Sequence, residues 1–436
     1  MAKITGVIEI PKATAESVNK TVTSIPAFDK YIADNLKEDV SVLLNVVMAG
    51  AINLQSSDIH LEPTPEDLKI RVRIDGLLQD VCSIPTDVYS LLLSRLKLLA
   101  GLKLNIHDRP QDGSFSIKIL TSKGEKEIEI RSSALPADYG ETVVMRILNP
   151  ESLKSIEDLG LRKDLLELFK KEIKKPDGMI IVTGPTGSGK TTTLYAFLSY
   201  LRQPEIKIIT IEDPIEYRLS GISQTEVHAQ KGYTFATGLR AIVRQDPDVI
   251  LVGEVRDQET ADIALQSALT GHLVLSTLHT NDAAGAIPRL VSLGANPVNI
   301  APAINMAVAQ RLVRRICPFC SFWEKPNAEE LQKIKNAISS LPADLKKNFK
   351  IDAALKIKKA KKCEVCNNTG YKGRIAVFEA ILIDDQMEDL ILKKGSIPDI
   401  VKLAKTKGFV SMYQDGIMKV LDGITTITEV DRVAAE

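Results

Sequence analysis

Met179-Ile-Ile-Val-Thr-Gly184-Pro-Thr-Gly-Ser-Gly189-Lys190-Thr191-Thr192 reads as an apolar strand, a glycine turn and the first turn of a helix. From Gly184 to Thr191 the spacing matches G-x-x-x-x-G-K-[ST], a loop whose successive N–H groups point at phosphate oxygens. Gly184, Gly187 and Gly189 leave the backbone free to curl. Pro185, Thr186, Ser188 and Thr192 complete the lining of the loop. The helix beginning near Gly189 adds the positive end of its dipole. Lys190 is placed to reach the β- and γ-phosphates, and the Thr191 hydroxyl to ligate Mg²⁺. A glycine turn alone says little. Here every fixed position is filled, between a β-rich run and the helical stretch Thr192-Thr-Leu-Tyr-Ala-Phe-Leu198, which separates it from an ordinary Gly-rich loop. The stretch predicts nucleotide binding.

Around it, strands and helices alternate. Ile206–Ile211 reads as a strand, Thr234–Arg244 as a helix, and Asp248–Val252 as a short buried strand. Gln258–Leu269 is helical, His272–Thr277 a strand and Ala283–Leu293 a helix. This alternation predicts an α/β fold with a mostly parallel sheet and ligand at the strand C-termini. Before it, Val40–Ile52 and Tyr89–Leu102 show helical spacing. Strands are expected near 58–62, 68–74, 113–119, 127–133 and 142–148, with a hairpin at Asp75-Gly76. Residues 1–36 read as a linker or arm, 37–150 as a smaller α+β domain and 151–312 as the P-loop core. A cysteine-bearing subdomain over 313–380 and a helical cap over 381–436 follow.

Composition narrows the classes. Lys+Arg and Asp+Glu balance at 56 each, so no global field favours nucleic acid. No apolar run reaches a membrane span, and the N-terminus lacks a signal segment, so a cytoplasmic protein is expected. Four of the five cysteines form two C-x-x-C pairs, Cys317/Cys320 and Cys363/Cys366. Two such turns complete a tetrahedral S₄ site, for which Zn²⁺ is the best match and a structural role is expected. Free reduced cysteines are the alternative. Cys82 stands alone in an apolar strand and reads as core.

Acidic groups at strand ends are candidates for catalysis. Glu254 closes the run Asp248-Val-Ile-Leu-Val-Gly253-Glu254 and is the first choice for the group that polarises water, with Gly253 allowing close approach to ligand. Glu212, in Ile211-Glu-Asp-Pro-Ile-Glu216, is a candidate to act through the metal's water shell or to orient the nucleophile; a solvated acidic turn is the alternative. His279 lies at a strand end, where a γ-phosphate sensor belongs, whereas His272 is expected to satisfy a core hydrogen bond. Arginines recur in the first module at 71, 73, 109, 131 and 146, as phosphate ligands or as surface ion pairs. The lysines between Lys346 and Lys362 read as a solvated helix face.

Together these pieces resemble the type II secretion and type IV pilus assembly ATPases. Gly184–Thr191 matches that family's Walker A motif, Ile209–Glu216 its Asp box, Leu239–Asp257 its Walker B region and Thr270–Asp282 its His box. Ser57–Glu62, Arg71–Gly76 and Arg109–Gly113 resemble motifs of its N-terminal domain, and the cysteine pairs with Thr369–Arg374 its metal-binding subdomain. The resemblance implies a RecA-like P-loop domain after a PAS-like α+β domain, binding ATP, Mg²⁺ and Zn²⁺. It implies a homo-hexamer whose sites are completed by arginines such as Arg109 and Arg146. Such a motor hydrolyses ATP to drive pilus or pseudopilus assembly through an inner-membrane platform protein and other assembly proteins. It would lie peripherally at the cytoplasmic face of the inner membrane, without nucleic acid. The cysteine pairs favour the assembly and secretion branch over retraction. The N-terminal docking domain of many members is expected to be missing. A nucleic-acid translocase built on the same core and a non-enzymatic zinc adaptor are the competing readings.

Overall fold

The computed structural model describes residues 6–121 and 124–434. Residues 1–5 of the expected arm and 435–436 of the expected cap lie outside them. The chain forms two compact units, Met1–Ser152 with Lys361–Lys372 and Leu153–Ala360 with Gly373–Glu436.

The first unit is built on a seven-stranded sheet, in the order β1-β5-β6-β7-β2-β3-β4. Its strands are β1 (Val7–Ile10), β2 (Asp58–Pro63), β3 (Asp67–Ile74), β4 (Leu77–Pro85), β5 (Gln111–Thr121), β6 (Gly124–Ala137) and β7 (Gly140–Leu148). Alternation is clearest on β3, where Leu68, Ile70, Val72 and Ile74 are buried between half-buried or exposed polar neighbours. The expected hairpin joins β3 to β4: Ile74 pairs with Leu77 across Asp75-Gly76, both at positive φ. Helices α1 (Lys12–Thr21), α2 (Ile25–Asp34), α3 (Val40–Asn53) and α4 (Thr86–Ala100) share its core.

The expected arm is a difference between sequence and structure. Val7–Ile10 instead forms a strand parallel to β5, and Val18, Val22, Phe28 and Ile32 are buried in the core. Two short helices and one four-residue strand are too brief to show periodicity above a Lys- and Thr-rich background.

The second unit holds the predicted parallel sheet, in the order β10-β9-β11-β12-β8-β13-β16. Here β8 is Gly178–Thr183, β9 Ile208–Glu212, β10 Ser223–Glu226, β11 Val249–Val252, β12 Leu273–Leu278 and β13 Ile304–Ile316. All six run parallel to their neighbours among these strands. β8 is buried along its whole length, as a central strand covered on both faces must be. Helices α5 (Lys163–Glu172), α6 (Lys190–Leu201), α7 (Phe235–Val243), α8 (Gln258–Leu269), α9 (Ala286–Ser292) and α10 (Pro297–Ala303) accompany it. Three of them start on side-chain caps, Thr234 accepting from Thr237 N for α7, Asp257 from Thr260 N for α8 and Asn296 from Val298 N for α10.

Beyond β13 come a two-stranded ribbon of β14 (Phe322–Glu324) and β15 (Ile357–Lys359), with α11 (Ala328–Ser339) and α12 (Ala343–Lys346) between those strands. β16 (Tyr371–Leu382) closes the edge of the main sheet. The region expected to be a separate subdomain therefore contributes strands to the sheet at both its ends. The lysines expected on a helix face mostly lie off any helix: Lys346 ends α12, while Lys358 and Lys359 are half-buried on β15.

The expected helical cap is α13 (Asp385–Leu392), α14 (Ile397–Thr406), α15 (Met412–Leu421) and α16 (Ile427–Ala434). Buried charge anchors it. Glu429 of α16 is 1% exposed and accepts from Arg314 of β13 at 2.9 and 2.7 Å and from Arg432 at 3.0 and 2.6 Å. Burial pushes this carboxyl up, but the bonds from Arg432 and Arg314 outweigh it and hold it at about 2. A carboxyl depressed in the folded state contributes stability above its unfolded value of about 4.3, and that contribution fades as pH falls through the folded value. Glu429→Gln is therefore expected to destabilise the protein by about 3 kcal/mol at neutral pH, because it removes the negative charge that Arg314 and Arg432 share. In thermal melts the gap from wild type should narrow as pH drops from about 5 toward about 2; a gap independent of pH would contradict this.

Candidate nucleotide site

β8 delivers the glycine loop between two parallel neighbours, with Thr183 opposite Leu278 of β12 and Ala309 of β13. The Thr183 hydroxyl donates to Leu278 O at 3.0 Å and accepts from Thr280 N at 2.8 Å. The residue that leads into the loop is thereby tied to the segment that follows β12. Gly184 has φ +145, and a Cβ there would lie 2.5 Å from Gln310 O and 2.7 Å from Ser188 Oγ. Gly189 caps α6 at φ +89, where a Cβ would meet Gln310 Nε2 at 2.8 Å. Both positions exclude any side chain, on conformational and on steric grounds.

Gln310 is a residue that reading the sequence missed. It is 2% exposed and its Oε1 accepts from Thr193 Oγ1 of α6 at 2.7 Å. A polar residue inside the apolar run Ile304–Val313 was the available signal.

Lys190 Nζ donates to Gly184 O at 2.8 Å and Pro185 O at 3.1 Å. Burial lowers its proton affinity, while Glu254 and Glu216 raise it. An ammonium held only by carbonyl oxygens, above a curled backbone, is matched to an arriving anion. Ser188 Oγ is buried with no hydrogen-bond partner, which fits a loop still short of acceptors. Thr191 and Thr192 are half-buried at the start of α6; Pro185, Thr186 and Gly187 are exposed.

Glu254 follows β11, its side chain 14% exposed. Its Oε2 lies 3.3 Å from His279 Nε2, and Arg256 pairs with its Oε1. The two residues singled out from separate strand ends thus meet. The space beside Gly253 is taken up by protein: a Cβ would sit 3.3 Å from Glu212 Cα and Ile211 O. Its smallness serves the packing of β11 against β9.

Glu212 ends β9 and is 3% exposed. Oε1 accepts from Thr210 Oγ1 at 2.6 Å and Gln224 Nε2 at 3.3 Å, and Oε2 accepts from the Tyr195 hydroxyl. Burial pushes its carboxyl up, and these three bonds pull it back. The solvated acidic turn weighed as an alternative is therefore absent at this position. His272 Nδ1 donates to Ser267 O at 3.0 Å, the satisfied role expected of it.

The arginine candidates belong to the first unit. Arg146 of β7 donates to Asp58 Oδ1 at 3.1 Å, and Arg73 Nε lies 3.3 Å from the other oxygen. Arg71 pairs with Glu62 and Asp80. Arg109 is exposed, between α4 and β5. Cys82 is half-buried on β4, its thiol pushed up to about 12 by burial.

The sulfurs of Cys317, Cys320, Cys363 and Cys366 all lie within 4.8 Å of one another. Cys363 Sγ and Cys366 Sγ are 3.6 Å apart, close to the ~3.8 Å edge of a tetrahedron with ~2.3 Å metal–sulfur bonds. Gly370 N donates to Cys366 Sγ at 3.2 Å, as suits a thiolate, so the donor set fits a tetrahedral thiophilic ion.

The profile of the type II/IV secretion system protein family matches residues 34–432. Type II secretion system protein E of Pseudomonas aeruginosa is 44% identical over 395 residues, which span 90% of this chain and 75% of that protein. The type IV pilus assembly ATPase PilB of Myxococcus xanthus is 40% identical over 424 residues, 97% of this chain and 71% of its own. PilB of Thermus thermophilus is 42% identical over 385 residues, which span 88% of this chain but only 42% of that protein. Among solved structures, the pilus retraction motor PilT with bound ADP superposes with a TM-score of 0.59 at 26% identity, over 89% of this chain and 96% of that one. The ATPase DotB of Yersinia pseudotuberculosis, at 18% identity, shares the fold, with a TM-score of 0.67 over 92% of this chain and 95% of its own. With its phosphate loop, its paired Glu254 and His279 and its four converging cysteines, the chain belongs to the type II/IV secretion system protein family, whose named relatives are secretion and pilus-assembly ATPases.

Proposed function

We propose that this protein is an ATPase motor of type II secretion or type IV pilus assembly. The observation that carries the reading is the meeting of Glu254, from β11, with His279, from the end of β12, while the field of Glu254 also reaches Lys190. Base and phosphate-binding cation thus share one edge of the sheet.

In this reading the loop amides from Gly184 to Thr191 cradle the phosphates, and Lys190 exchanges its carbonyl partners for the β- and γ-oxygens. The Thr191 hydroxyl holds Mg²⁺, which supplies charge neutralisation between the phosphates. Glu254 orients and polarises the attacking water, with His279 steadying its carboxylate or touching the γ-phosphate. Glu212, its oxygens already engaged by protein donors, orders this edge of the sheet from behind. The four cysteines hold Zn²⁺ as a structural ion.

The reading extends to a homo-hexamer in which Arg109 and Arg146 of the first module serve the nucleotide. The motor acts on an inner-membrane platform protein and other assembly proteins, at the cytoplasmic face of the membrane. Among the described residues no helix is long and apolar enough to cross a membrane. The nucleic-acid translocase reading draws no support from the relatives, which are named for secretion and pili.

Two measurements test this. Lys190→Ala and Glu254→Gln should each lower Mg²⁺-dependent ATP hydrolysis by at least about a hundredfold. Glu254→Gln should still bind ATP, because it removes water activation and not phosphate contacts; wild-type turnover in that variant would strip Glu254 of its role. For the metal, purified protein should carry about one Zn²⁺ per chain, and a strong chelator should lower its melting temperature by several degrees. Metal-free protein with an unchanged melt would remove the structural zinc.

A further inference from the structure

Arg311 sits one residue past Gln310, whose carbonyl lies against Gly184. The two side chains leave β13 on opposite faces. Gln310 reaches Thr193 of α6, whereas Arg311 reaches Asn281, in the segment after β12. The contacts Arg311 makes there are poor. Nη2 is 3.3 Å from Asn281 O and 3.4 Å from its Oδ1, and Nε is buried with no hydrogen-bond partner.

Two carboxylates lie near enough for their fields to be felt, Glu379 and Asp282, but burial is the larger effect and lowers the proton affinity of Arg311. Both carboxylates are already engaged by backbone amides. Glu379 accepts from Ala283 N at 2.8 Å and Met412 N at 3.0 Å, and Asp282 from Gly285 N at 2.7 Å. The charge of Arg311 also reaches Lys190. Arg311 is half-buried, so the cost falls on its one buried donor, Nε, while the outer end of its planar fork is open and suits phosphate.

We propose that Arg311 is a cation of the nucleotide site supplied by the same chain, exchanging its long contacts with Asn281 for the terminal phosphate of ATP and so distinguishing ATP from ADP. The assignment rests on the nucleotide-binding reading above. Asn281 stands two residues after His279, so the exchange would remove one tie from the segment that carries His279 when the terminal phosphate arrives, and restore it when that phosphate leaves, while the bonds to Thr183 and Glu379 stay in place.

The test compares full-length wild type, Arg311→Gln and Arg311→Lys for affinity toward a non-hydrolysable ATP analogue and toward ADP, each with Mg²⁺. Arg311→Gln should weaken the ATP analogue about tenfold or more, the size of one charge-assisted hydrogen bond, and leave ADP affinity unchanged. Arg311→Lys keeps the charge without the fork and should fall between. Without nucleotide, both variants should melt with wild type. If Arg311→Gln keeps the wild-type ratio of ATP to ADP affinity, including the case where both weaken equally, the assignment is overturned. Wild type that binds the analogue shows that such a failure belongs to Arg311 and not to the wider reading; wild type that binds neither nucleotide overturns both. Should Arg311→Gln fail to fold, Asn281→Ala takes its place. With the Oδ1 half of its tether removed and the carbonyl half kept, Arg311 should then hold the ATP analogue at least as tightly as in wild type, and weaker binding would overturn the exchange.

Discussion

The backbone bend at Gly184 is the constraint on which the rest depends. It is trapped between two parallel strands, with the Gln310 carbonyl on one side and the Thr183 hydroxyl bonded to Leu278 O and Thr280 N on the other. A loop whose amides must converge on an anion cannot wander, because each amide contributes only while its neighbours are aimed at the same point. Here alignment comes from hydrogen bonds and close contacts that leave no room for a Cβ. The apolar strand behind it is buried at every residue, each large side chain contributing about 1.5–3 kcal/mol relative to exposure. That rigid strand is what the loop is mounted on.

The segment after β12 is the second fixed point, and it is fixed from the far edge of the sheet. Glu379 on β16 accepts from Ala283 N in that segment and from Met412 N at the start of α15. Asp415 in α15 in turn accepts from Phe378 N at 2.9 Å and Lys419 at 2.6 Å, with Arg162 at 3.4 Å. A chain of buried, satisfied polar groups therefore runs from the C-terminal helices to the segment that carries His279. Phe169 of α5 braces the opposite face, packing edge-on against Phe197 of α6 at 5.5 Å and Phe378 of β16 at 6.0 Å. Buried networks of this kind are strong only when every member is satisfied. In this one, the oxygens of Glu379 and Asp415 are taken up by backbone amides and basic side chains. Arg311 feels the charge of Glu379 but makes its hydrogen bonds to Asn281, at 3.3 and 3.4 Å.

Much of this was legible in advance. The phosphate loop is a local pattern whose meaning is carried by residues six or seven apart, so spacing alone identifies it. Glu254 and His279 stood out because each follows an apolar strand, and the structure brings the two to 3.3 Å. The cysteine pairs were legible as pairs, their partnership following from the chemistry of four thiols. Less was legible in residues 6–36, where short elements gave no periodic signal. Only the pairing of β1 with β5 and the burial of Phe28 and Ile32 show that they belong to a core.

What the sequence determined by itself was therefore the strand–loop–helix that takes phosphate, the alternation that makes a parallel sheet, and the identity of the groups able to do chemistry at its edge. Tertiary structure decided which of those groups meet. Glu254 and His279 are 25 residues apart and touch only because β11 and β12 are neighbours in register. Gln310 and Thr193 are 117 residues apart and bond because β13 lies next to β8. Arg311 gained its contact with Asn281 in the same way. Contacts across the sheet depend on strand order and register, and no spacing along the chain encodes those.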